Sequence, residues 1–284
     1  MAVARHEAGV VGAGKALASQ VHPVFMLPPL ATSLFGAVLA GTVDLRVAGL
    51  HALAMFFAVY TAHVKDGYVD FHVRGEDDDH PLTVGGCRGA LVTAAVGFLA
   101  CTAGIWLLVS PVAALVTAPT WLIGYTHAPQ LDLNPVGATM GYPSGIALSL
   151  LGGYYAQTTH FGPQVLGLAT VFLLLLTGIK IIDDETDFDY DSSIDKRTVA
   201  VVLGPRRSRQ LALGLFALAM VGVVALAIAL PGIPPTAAGG AVVFGAVLAL
   251  AYRAEAELAT MLLIRGSYLF LAVLVAAVWF RPLA

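Results

Sequence analysis

The chain has 284 residues, 58% hydrophobic and only 12% charged, with a mean hydropathy of +0.83. A soluble globular domain carries roughly 25% charged residues, so this composition excludes an ordinary soluble fold and points to an integral membrane protein. The net charge of −3 excludes the broad basic surface of a nucleic-acid binder, and no nucleic acid is expected as a partner.

The first 20 residues are mildly polar and predict a cytoplasmic N-terminal segment, 1–21, with no cleavable signal. Within it, GVVGAGKA (9–16) fits a G-x-x-x-x-G-K spacing. Ala16 stands where a phosphate loop has Ser or Thr, and no strand precedes it, so the stretch reads as flexible chain. Nine apolar runs follow: 23–42, 45–64, 86–109, 111–127, 143–159, 162–182, 210–230, 236–253 and 258–280. A bilayer-spanning helix needs ~20 residues, and a helix apolar all round has no period to read, so length and flanks decide. Pro111, Pro143, Pro163 and the Pro231/Pro234/Pro235 group punctuate the connections. Cys87 and Cys101 have no metal-ligand spacing and read as small packing residues. The predicted fold class is all-α, a multi-pass membrane helical bundle of about nine transmembrane helices forming one domain over 1–284.

With the N-terminus in the cytoplasm, of the 15 basic residues only Arg46 and Arg281 fall on the far side, a strong positive-inside bias. The loops 65–85, 128–142 and 183–209 are then cytoplasmic. Two of them hold most of the acids. The first carries Asp66, Asp70, Glu76, Asp77, Asp78 and Asp79; the second carries Asp183, Asp184, Glu185, Asp187, Asp189, Asp191 and Asp195.

If the helix over 162–182 continues, Asp184, Asp187 and Asp191 share one stripe at i, i+3 and i+7, and Asp66 and Asp70 stand at i, i+4. Carboxylates this close repel, so a cation belongs between them. Mg²⁺ fits: it binds through one or two carboxylates and completes its shell with water and phosphate oxygens. Two facing acidic clusters with Mg²⁺ make a diphosphate site, in which metal charge stabilises a departing diphosphate. Glu76–Asp79 alone reads as a solvated acidic loop. His63, His72 and His80 read as interfacial or polar-network histidines, and Glu255 and Glu257 as interfacial.

DDETDFDYDSSIDKRTVAVVLG (183–204) resembles the second aspartate motif of the UbiA family of intramembrane prenyltransferases. Asp183, Asp184, Asp187 and Asp191 fall on its acidic positions, and Lys196, Arg197, Thr198, Ala200 and Gly204 on its tail. DGYVDF (66–71) resembles the first motif, HPVFMLPPLATSLFGAVLAG (22–41) the first helix, and YTHAP (125–129) a family loop. The resemblance implies nine transmembrane helices around a central cavity, and transfer of a polyprenyl group from its diphosphate to a lipophilic acceptor, an aromatic quinone precursor or a lipid, with Mg²⁺. It implies Asp66, Asp70, Asp184, Asp187 and Asp191 as catalytic residues, and the same five with Asp183 as metal ligands. Lys65, Arg74, Lys196 and Arg197 become phosphate cations, Tyr125 an aromatic shield for an allylic cation, and His127 a base or acceptor contact. Tyr60, Tyr68, Phe71 and Tyr154 are further candidate shields.

The chain departs from the family pattern in three places. Gly67 and Arg74 replace two acids of the first motif, Leu131 and Asp132 occupy the place of a basic residue after YTHAP, and His80 is the nearest match to a basic residue after the first motif. These departures predict a rearranged diphosphate grip in which Arg74 contacts phosphate directly. They keep open a terpene cyclase on the same fold, which needs no acceptor. A cation transporter would require ionisable residues at mid-span, and the sequence shows almost none.

Overall fold

A computed structural model describes residues 2–194 and 196–281; Met1, Asp195 and residues 282–284 lie outside the described part. The described residues form helices with no strand, in the order α1 (Gly9–Ala18), α2 (Pro23–Leu39), α3 (Leu45–Gly67), α4 (Val84–Leu108), α5 (Pro111–Thr126), α6 (Pro135–Thr158), α7 (Pro163–Thr186), α8 (Phe188–Ser193), α9 (Val199–Leu203), α10 (Pro205–Ala229), α11 (Gly239–Ala251) and α12 (Ala256–Phe280). α3 runs on as a π-helical stretch, Tyr68–Arg74, which stops at Gly75 in the left-handed region (φ 68°).

Local chemistry explains the helix starts. Pro23, Pro111, Pro135, Pro163 and Pro205 open their helices, where a missing N–H costs nothing. Asp44, Thr83, Ser110 and Asn134 accept from the free N–H groups of α3, α4, α5 and α6. Pro143 does not separate elements as the sequence suggested. It lies inside α6, which begins eight residues earlier at Pro135. Pro28, Pro29 and Pro119 also sit within helices, as membrane bundles tolerate when neighbouring groups take up the freed carbonyls.

Among the described residues, α4, α7, α10, α12 and α3 with its extension are long and apolar enough to cross a membrane; α1 and α2, bent by 66°, would make a sixth span. α5 and α11 are shorter, and α6 is diluted by Thr139, Tyr142, Ser149 and its glycines. Every predicted run has a helix at its place, although length and composition alone do not qualify all nine as spans. Exposed Val92, Val96, Leu99, Leu107, Val221, Ile228 and Val242 form the outer surface that lipid, not water, would cover.

α2, α3, α5, α6 and α7 pack side by side, α4 lies against α3 and α5, and α10–α12 lie outside α7, with α12 returning to α2. α2 and α6 meet backbone to backbone. A methyl group at Gly36 would collide with the Leu150 carbonyl, and one at Gly153 with the Ser33 carbonyl. Phe172, Phe216, Phe244 and Phe270 lock α7, α10, α11 and α12 together, with ring centroids 5.5–6.4 Å apart.

The N-terminal segment is not flexible chain. Residues 9–18 form α1, and Ala16 is buried with Val64, Leu82, Cys87 and Ala90. Residues 3–5 run along the loop before α4: Arg5 N donates to Pro81 O (2.9 Å) and Thr83 N to Val3 O (3.0 Å), while the Arg5 side chain pairs with Asp79 (2.9 Å).

Candidate active site

The ends of α3, α5 and α7, with the loops after them, meet at one end of the bundle. Beneath this meeting point lies a cavity of about 250 Å³ between α2, α3, α5, α6 and α7. Its deep wall is apolar, formed by Pro29, Met55, Ala58 and Ile146, with Thr120 and Ser149 as the polar exceptions. Its charged and imidazole groups, Asp66, Lys180, Asp183, His63 and His127, come from the helix ends. Phe25 and Tyr142 line it as an edge-to-face pair 6.3 Å apart, held by the Tyr142 hydroxyl donating to Phe25 O. Tyr60, Tyr68, Phe71, Tyr125 and Tyr154 are not among the lining residues.

α7 does continue past residue 182, but only to Thr186. The backbone turns at Asp187 (φ −99°, ψ 12°) before α8 begins, so Asp184, Asp187 and Asp191 do not lie along one straight helix. The turn separates their environments: the Asp184 and Asp191 side chains are 2% and 1% exposed, whereas Asp187 is exposed. Lys180, one turn before the acids, bonds Asp183 (2.9 Å) and Asp184 (2.6 Å). The Thr139 hydroxyl donates to Asp184 (3.3 Å) and accepts from Val199 N (3.3 Å), tying α6, α7 and α9 together.

Asp191 is different. Neither of its buried oxygens has a hydrogen-bond partner, and its nearest cation is Lys196, 3.4 Å from Oδ1. Burial pushes this carboxyl above the ordinary carboxylate range against the pull of Lys196. A buried carboxylate with free lone pairs, among further acids, fits a hard divalent cation such as Mg²⁺, which takes oxygen ligands.

On the facing side, Asp66 lies within electrostatic reach of His127, Asp132, Lys180 and Lys196, so both acidic clusters act on one region. Tyr190 of the second loop is likewise within reach of Asp70 and Glu76 of the first. Arg74 is enclosed by carboxylates: Asp132 at 3.4 Å, Asp70 at 3.5 Å and Glu76 at 3.8 Å. Its closest carboxylate is thus Asp132, the residue standing at the other charge-altered position of the chain. Lys65 bonds Tyr125 O (3.4 Å) and sits over the Tyr125 ring at 4.2 Å. Arg197 is exposed, and its N–H donates to Asp132 O (3.4 Å). Of the site residues predicted from sequence, Asp66, Asp183 and His127 line the cavity, whereas Asp70, Asp184, Asp187, Asp191, Lys65, Arg74, Tyr125, Lys196 and Arg197 do not.

Lys180, Thr139 and the cavity-lining Thr120, Tyr142 and Ser149 are polar residues of this site not expected from the sequence, and Asp132 was expected only as a departure from a basic position. Lys180 carried a usable signal, its i, i+3 and i, i+4 spacing to Asp183 and Asp184. His51, in the predicted run 45–64, is fully buried within α3 and bonded to Ser33 (2.7 Å), an ionisable residue inside the bundle.

The fold and its lipid-facing surface define an integral, multi-pass helical membrane protein. The chain belongs to the UbiA prenyltransferase family, which residues 29–259 match. Its fold is shared with the apo structure of a UbiA homologue from Aeropyrum pernix K1 (19% identity, 92% of this chain and 98% of that one, TM-score 0.71). It is also shared with a digeranylgeranylglyceryl phosphate synthase (15% identity, 95% and 98%, TM-score 0.73) and with a UbiA homologue from Archaeoglobus fulgidus bound to GPP and Mg²⁺ (16% identity, 94% and 99%, TM-score 0.68). None of the curated proteins matches the chain.

Proposed function

We propose that the protein transfers a polyprenyl group from its diphosphate to a lipophilic acceptor within the bilayer. One observation carries this reading: an apolar cavity whose charged groups are gathered at one end, where two acidic clusters face each other. The A. fulgidus homologue, bound to GPP and Mg²⁺, supports it. Asp66 and Asp70 from one cluster, and Asp183, Asp184, Asp187 and Asp191 from the other, would hold Mg²⁺. When bound, Mg²⁺ supplies positive charge to the diphosphate oxygens.

The chain's own groups then have separable tasks. Lys180, which lines the cavity, together with Lys65, Lys196 and Arg197, would orient the anionic head. Thr139 fixes Asp184. Pro29, Met55, Ala58 and Ile146 take the prenyl chain out of water, and the Phe25 and Tyr142 rings offer π faces to positive charge developing on the allylic carbon. His127 lies where it can accept the acceptor's proton.

Incubating purified protein with radiolabelled prenyl diphosphates of several lengths should give a prenylated product only when acceptor and Mg²⁺ are both present, and EDTA should abolish it. A cyclic hydrocarbon or alcohol formed without acceptor would instead assign a cyclase, and full activity in EDTA would refute the metal's role.

The basic-residue bias supports nine spans with the site on the cytoplasmic face. A membrane-impermeant maleimide added outside cells should label Thr42→Cys and spare Ser193→Cys. Both positions are exposed, and native Cys87 and Cys101 are buried. The reverse pattern would invert the orientation.

A further inference from the structure

Three residues that neither line the cavity nor belong to the acidic clusters come together beside the start of α4. His72 lies on the π-helical stretch, His80 in the loop that follows, and Cys87 on the first turns of α4. Their ligand atoms all lie within 4.8 Å of one another. Tetrahedral ligands held at Zn–N and Zn–S distances stand about 3.5 Å apart, so modest side-chain rotation closes the set.

The hydrogen bonds of the two imidazoles have a common logic. His72 Nε2 lies 3.0 Å and His80 Nδ1 3.2 Å from the same carbonyl oxygen, that of Leu82. A carbonyl oxygen has two lone pairs and can accept from both rings. With both N–H groups directed there, His72 Nδ1 and His80 Nε2 carry lone pairs. This is the arrangement seen when a metal-bound histidine donates its second ring nitrogen to a backbone carbonyl.

His80 is only 4% exposed, and its Nε2 has no hydrogen-bond partner. Leu82 N also stands 3.2 Å from His80 Nδ1, but the tautomer that would accept from it leaves an Nε2–H facing no acceptor. Either way the inner nitrogen is unsatisfied by protein. The His80 ring packs directly on Gly67, where a Cβ would stand 2.6 Å from Nε2 and 2.9 Å from Cδ2, so only glycine admits the ring in this position. Cys87 is buried and free.

We propose that His72, His80 and Cys87 form a binding site for a borderline transition-metal ion of the Zn²⁺ class. A thiolate with two imidazoles suits Zn²⁺ or Co²⁺ and disfavours Mg²⁺, so this site is chemically distinct from the carboxylate clusters. On binding, the ion sheds water ligands and the Cys87 thiol releases its proton to solvent as the metal–sulfur bond forms. Water completes the coordination. The bound ion clamps the end of the α3 extension and the following loop to α4, fixing the segment that presents Asp66, Asp70 and Arg74.

The test is Co²⁺ titration of the full-length protein in detergent, with excess Mg²⁺ present to fill the carboxylate site. About one equivalent of Co²⁺ should bind with a thiolate-to-metal charge-transfer band, which Zn²⁺ should displace. Cys87→Ser should remove the band and weaken Zn²⁺ binding about 100-fold, whereas Cys101→Ser and Asp187→Ala should retain it. As a second readout, Zn²⁺ should raise the melting temperature of the wild type and not that of His80→Asn. The absence of a thiolate band in the wild type, its persistence in Cys87→Ser, or equal stabilisation of His80→Asn by Zn²⁺ would each overturn the proposal.

Discussion

Replacing Asp191 with Asn is expected to lower kcat by roughly 100- to 1,000-fold while leaving the protein at least as stable as the parent. The two effects have one origin. The Asp191 carboxylate is buried at the mouth of the site with neither oxygen hydrogen-bonded, and Lys196 at 3.4 Å compensates it only in part. Holding an under-satisfied charge out of water costs stability, and an amide of the same shape removes that cost. The residue therefore makes sense as a ligand kept ready for a cation, at the expense of the fold. The measurements are kcat against Mg²⁺ concentration and thermal unfolding of both proteins in EDTA. A variant that unfolds far more easily yet turns over normally would show Asp191 to be a structural group.

Arg74→Ala should raise the KM for the diphosphate by roughly 10-fold and destabilise the protein by about 3 kcal/mol, and adding Asp132→Asn should recover about half of that stability. From the sequence, Arg74 is a cation available to phosphate. In the fold it is also the counter-charge of Asp70 and Asp132, with Asp132 only 11% exposed and Arg74 25%. Removing Arg74 alone leaves Asp70, Glu76 and Asp132 without the cation they share, which is the larger cost, and neutralising Asp132 relieves part of it. Thermal unfolding of the two single variants and the double variant closes the cycle. Additive effects would mean that the pair is not coupled. An unchanged KM in Arg74→Ala would mean that phosphate is held by other residues.

The separation between legible and illegible parts of the molecule follows sequence distance. Apolar runs predicted helices because each run is local, and Pro111 and Pro163, which open α5 and α7, mark their own boundaries. Pro143 misled because its place inside α6 depends on neighbouring helices, not on the residues beside it. Both acidic clusters were visible as clusters. The turn at Asp187, which buries Asp184 and Asp191 and exposes Asp187, was not visible, since the spacing fits an unbroken helix equally well. Arg74 and Asp132 are 58 positions apart, and each alone reads as a departure from a pattern. Only their 3.4 Å contact turns two anomalies into one pair. Cys87 has no cysteine or histidine partner at ligand spacing, so its position beside His72 and His80 is purely a product of the fold.

The π-helical turns at Tyr68–Arg74 bear on how such a site changes over generations. A π segment is what a helix becomes when it absorbs one extra residue without moving its ends. Deleting one residue here would wind the segment back to an α-helix and, with both ends held, shift only the side chains between them around the axis. Asp66 on α3 and Arg74 at the far end would keep their places, while Asp70 and His72 between them would change facing. A single codon gained or lost thus re-indexes which side chains face the cavity mouth and leaves the membrane-embedded packing untouched. Lineages can rearrange their head-group chemistry by that step alone, with no need to rebuild the bundle.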